Sequence, residues 1–75
     1  MSEVKAKTLM RLEVAVSNLC SANYRFGVAE TALELAIGAN EEKLLASNRH
    51  NAADELAAAE EEYNVELAQV RRVVS

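Results

Sequence analysis

The sequence predicts an all-α protein: an antiparallel two-helix hairpin with an alanine-rich, coiled-coil-like seam, completed by oligomerisation or by a partner helix. Three observations lead there. Leu12, Leu19, Phe26 and Leu33 recur every seventh residue, and Ala15, Ala22, Ala29 and Ala36 repeat in parallel three places on. Gly38-Ala39-Asn40 interrupts the pattern near the middle of the 75 residues. Proline is absent, and glycine appears only twice. Such a composition favours helix over strand.

Helix 1 is expected over residues 3–37, with Ser2 as a hydroxyl cap at its start. The turn is placed at 38–40. Gly38 tolerates the left-handed conformation that ends helices, and Asn40 is a favoured N-cap. Helix 2 then covers about 41–73. Glu41 and Glu42 stand in its first turn and Arg71 and Arg72 in its last, where each charge complements the helix dipole. The whole chain reads as a single helical-hairpin domain.

The turn alone predicts the pairing. In an antiparallel hairpin, facing residues are equidistant from the turn centre. With that centre at Ala39, Leu33 faces Leu45, Phe26 faces Ala52 and Leu19 faces Ala59. On the other ladder Ala22 faces Leu56, Ala15 faces Tyr63 and Thr8 faces Val70. Large residues thus meet small or β-branched ones in most layers, as close-packed interfaces require. Two layers are discordant: Arg49 opposite Ala29, and Glu66 opposite Leu12. Either these side chains lie along the seam's edge with their charges in water, or helix 2 breaks near Ser47–Asn51.

Helix 1 has more apolar residues than helix 2 can cover. Met10, Val14, Tyr24, Val28 and Leu35 follow their own three-four spacing, with Ser17, Ser21 and Thr31 between them. This stripe lies away from the alanine seam and contains no charge. The comparable side of helix 2 is polar: Asn48, Asn51, Glu55, Glu62 and Gln69. A helix apolar on two sides is usually sandwiched, so the five stripe residues are the candidate partner-binding surface. Leu9, Val16 and Ile37 flank the primary seam and can widen it into a four-helix arrangement. Gly27, in mid-helix, is either a tolerated surface glycine or a point of close approach.

Other classes of function find little support. Net charge is −4, and the basic residues Lys5, Lys7, Arg11, Arg71 and Arg72 gather at one end of the hairpin, which argues against nucleic acid as the partner. The longest uncharged run, Val14–Tyr24, is too short and too polar to span a bilayer. The N-terminus does not resemble a signal peptide, so a cytoplasmic location is expected. The lone Cys20 is expected as a small packed thiol, and His50 with Asp54 offers at most two ligands to a metal. No motif for catalysis, cofactor or small-molecule substrate is present, and the chain is read as non-enzymatic.

In packing style the large-and-small seam resembles that of the Rop-type bundle proteins, dimeric helical hairpins that bind RNA. Carrying RNA binding across would need a basic helical face, which this chain does not present. The expected function is therefore protein–protein interaction. The chain would act as an adaptor or small chaperone or co-chaperone that covers a partner helix with the stripe. The alternatives are a self-assembling four-helix homodimer and a small regulatory nucleic-acid binder using the basic end.

Overall fold

In the computed structural model, which describes residues 3–74, two helices of equal length pack antiparallel along their whole extent. The first, α1, spans Glu3–Leu35 and the second, α2, spans Glu42–Val74. The Cα extents of 56 × 14 × 13 Å describe a rod, and the radius of gyration is 16.8 Å. A globular chain of this length would have about 11 Å. The capping role expected of Ser2 lies outside the described residues.

The connection is longer than the three residues expected. Ala36 shares its N–H between the carbonyls of Ala32 and Leu33, both at 3.1 Å, so the last turn of α1 tightens. Ala39 N–H then closes onto the Ala36 carbonyl at 2.8 Å. Gly38 adopts φ 87°, the left-handed value that glycine takes without a side-chain clash. Ile37 consequently sits exposed in the turn and not at the end of a helix. The first intrahelical bond of α2 runs from Leu45 N–H to the Glu41 carbonyl, which makes Glu41 the N-cap, not Asn40. Glu42 also reaches back across the turn, its carboxylate accepting from the Gly38 N–H at 3.3 Å.

The core is made of alanine. Ala15, Ala22, Ala52 and Ala59 are buried with Thr8, whose hydroxyl donates to the Val4 carbonyl at 2.8 Å. The larger seam residues Leu12, Leu19, Phe26, Leu33, Leu45, Leu56, Tyr63 and Val70 are half-buried, as is Ala29. Alanine lets the two backbones approach closely, and the long side chains then lie along the edges of the contact. Among the described residues no large side chain is fully buried. That is a thin interior, because apolar burial supplies most of what opposes chain entropy.

Helix 2 is continuous from Glu42 to Val74, with no break at Ser47–Asn51. The two discordant seam residues are accommodated at the edge. Arg49 lays its guanidinium 5.4 Å from the centre of the Phe26 ring and donates to Glu30 at 3.3 Å. A cation over an aromatic face is worth ~0.5–1 kcal/mol at an exposed site. Glu66 is half-buried beside Met10, Arg11 and Val14. A second cross-helix bond joins Arg25 Nε to Glu55 at 3.2 Å. The midpoints of these pairs report the register. Arg25 and Glu55 centre on Asn40, Glu30 and Arg49 between Ala39 and Asn40, and Phe26 and Arg49 between Ile37 and Gly38. All lie within about two residues of Ala39.

Candidate functional site

Every residue of the apolar stripe stands in the open. Leu35 is 84% exposed, Tyr24 75%, and the least exposed of the five, Val28, is 51%. Met10 and Val14 lie between these values. The helical repeat explains the alignment. Residues spaced three and four apart stack on one side of an α-helix, and the alanine ladder has already committed the opposite side to α2.

The stripe is edged on one flank by the groove between the helices. At the basic end, Met10, Arg11 and Val14 border Glu62 and Glu66 of α2. At mid-length, Asn18, Ser21 and Arg25 border Glu55 and Glu62. Towards the turn, Tyr24 and Val28 lie beside Leu45 and Asn48. An apolar strip of α1 and a polar, mainly acidic strip of α2 thus run side by side. A shallow depression also opens along the stripe, lined by Asn23, Tyr24, Gly27, Val28, Thr31 and Leu35. Gly27 contributes to it by having no side chain; a Cβ there would meet nothing within 4 Å.

The opposite flank carries the further apolar residues Leu9, Val16 and Ile37. Leu9 is half-buried, but Val16 and Ile37 are exposed. Helix 2 adds Leu44, Val65 and Val74 as exposed apolar residues. These are widely spaced and form no continuous strip.

Further polar pairs lie on the surface. Lys7 and Glu3 meet at 3.3 Å, and His50 Nε2 lies 3.5 Å from Asp54. Among the described residues no group of three or more His, Cys, Asp and Glu is placed to hold a metal ion. Cys20 is exposed, which corrects the expectation of a packed thiol. It follows the seam residue Leu19 directly, and one helical step of about 100° carries it off the contact. No helix among the described residues is long and apolar enough to cross a membrane.

Sequence reasoning missed the cross-helix ion pairs Arg25–Glu55 and Arg49–Glu30. Their signal was available, since both pairs are nearly symmetric about the turn. The class defined by fold and surface is an antiparallel helical hairpin with one face of α1 left uncovered. No protein-family model, curated protein or solved structure matches this chain.

Proposed function

We propose that the chain is a non-enzymatic protein–protein interaction module, of the adaptor or small co-chaperone kind, that covers a partner helix with the second face of α1. The observation that carries this reading is the exposure of Met10, Val14, Tyr24, Val28 and Leu35 on one uncharged side. Interfaces are enriched in tyrosine and methionine and poor in charge at their centres. The thin alanine core supports the same reading, because a hairpin of this size gains from further apolar burial. A nucleic-acid role for the basic end has weaker support. Of the basic-end residues, Lys7 already pairs with Glu3 at 3.3 Å, and the net charge of the chain is −4.

A photo-reactive phenylalanine analogue in place of Val28, in the full chain expressed in its native host, tests the proposal. A discrete cross-linked protein product is expected at position 28 and none at Glu61, which is exposed on α2. Equal labelling at both positions, or none at 28, would contradict it.

A further inference from the structure

The hairpin exposes too much surface for its mass. Its accessible area is 5514 Å² at 8.2 kDa, whereas a folded monomer of that mass exposes about 4,500 Å². The surplus, about 1,000 Å² per chain, slightly exceeds the roughly 800 Å² that each partner contributes to a standard interface. One further helix-length contact would bring the chain to the normal value.

The spacing of the stripe is symmetric about its own midpoint. Its positions from Met10 to Leu35 alternate three-four without a break and contain no charge. Reflected about the point between Ala22 and Asn23, they fall onto one another. Met10 then meets the partner's Leu35, Val14 the partner's Thr31, Ser17 the partner's Val28, and Ser21 the partner's Tyr24. The two inner layers set serine against a larger side chain, which is how opposed helices fill space without voids. Each layer also joins one ladder of the repeat to the other, as antiparallel helices require.

Charge agrees on the flank beside α2. There the stripe is edged by Arg11, Asn18 and Arg25, with no acid, and α2 offers Glu55, Glu62 and Glu66 alongside. The same two-fold places the partner's Arg25 against Asn18, in the groove that Glu62 lines.

We infer that the helix covered by the stripe is α1 of a second copy, lying antiparallel about a two-fold axis near Ala22–Asn23, so that two hairpins form a four-helix dimer. This rests on the reading of the stripe as a contact surface and names its occupant, so that the stripe serves self-assembly and not the covering of a different protein's helix.

The test uses the purified full chain in a Cys20→Ser background. Light scattering should give twice 8.2 kDa, and Tyr24→Asp with Val28→Asp should halve that mass while the circular dichroism stays helical. Register is read from cysteine pairs. Ser17→Cys with Val28→Cys should oxidise to a covalent dimer. Within one helix these positions are about 16 Å apart, too far to bridge. Ser17→Cys with Leu35→Cys, out of register, should cross-link much more slowly. A monomer at all accessible concentrations would overturn the inference, as would a dimer that survives the aspartates or cross-links equally in both pairs. A monomer whose position 28 still cross-links a different protein in the host would overturn the inference and leave the contact surface standing.

Discussion

Replacing Ala22 with leucine adds three carbons to a site that is 1% exposed. Ala22 lies on the inner ladder of α1, and Ala58 and Ala59 of α2 border the same groove. Small side chains here set the helix spacing, and nothing larger can rotate away without separating the backbones. Overpacking of this kind costs ~1–3 kcal/mol. For a domain of 60–100 residues each kcal/mol moves Tm by ~4–8 °C, so the expected loss is about 4–24 °C. Ala57→Leu is the control, since Ala57 is exposed on α2 and leucine is nearly as good a helix former as alanine. Thermal melts followed at 222 nm, at one fixed protein concentration, give both values. Equal Tm for the two variants would refute the claim that the alanine ladder is the close contact between the helices.

Gly27→Ala should raise Tm, because a Cβ meets nothing within 4 Å and alanine is ~1 kcal/mol better in a helix interior. A fall in Tm in the same melts would show that the site is occupied closely by another backbone. Glu34→Lys should tighten association several-fold in sedimentation equilibrium, since the two-fold places Glu34 near the partner's Glu13, and opposite charges there replace like ones. Weaker association would refute that register. Lys5→Glu with Arg72→Glu should change association only modestly, and chiefly at low salt, where exposed charges are least screened. Loss of association by this variant at physiological salt would move the contact to the basic end.

The hairpin was legible because two independent signals agreed: the paired ladders of α1 and the helix-stopping residues around Ala39. The connection was misjudged by two residues at one end and one at the other. The tightened turn, in which Ala36 N–H is shared between the Ala32 and Leu33 carbonyls and Ala39 N–H closes onto Ala36, takes up Ala36 and Ile37 before Gly38 reverses the chain. Arg49 looked like a defect because pairing by position opposes it to Ala29. A long side chain does not act at its own Cα level, and this one finds Phe26 and Glu30 instead. Cys20 misled for the opposite reason. Its small apolar character suggested burial, but the helical repeat turns it to solvent. The stripe was legible as a pattern from spacing alone. Its exposure and the surplus surface of the whole rod required the packed structure, because both depend on how little α2 covers.

Tyr24 provides the most direct measurement of whether a second copy covers the stripe. With Tyr63→Phe, which preserves the half-buried ring in the seam, Tyr24 becomes the sole tyrosine fluorophore. Acrylamide quenching of the purified full chain is then followed as protein concentration rises. Coverage by a second copy predicts strong quenching when dilute, as befits a residue 75% exposed in the single hairpin, and marked protection as dimers form. Quenching that stays at the dilute value at every concentration would contradict it.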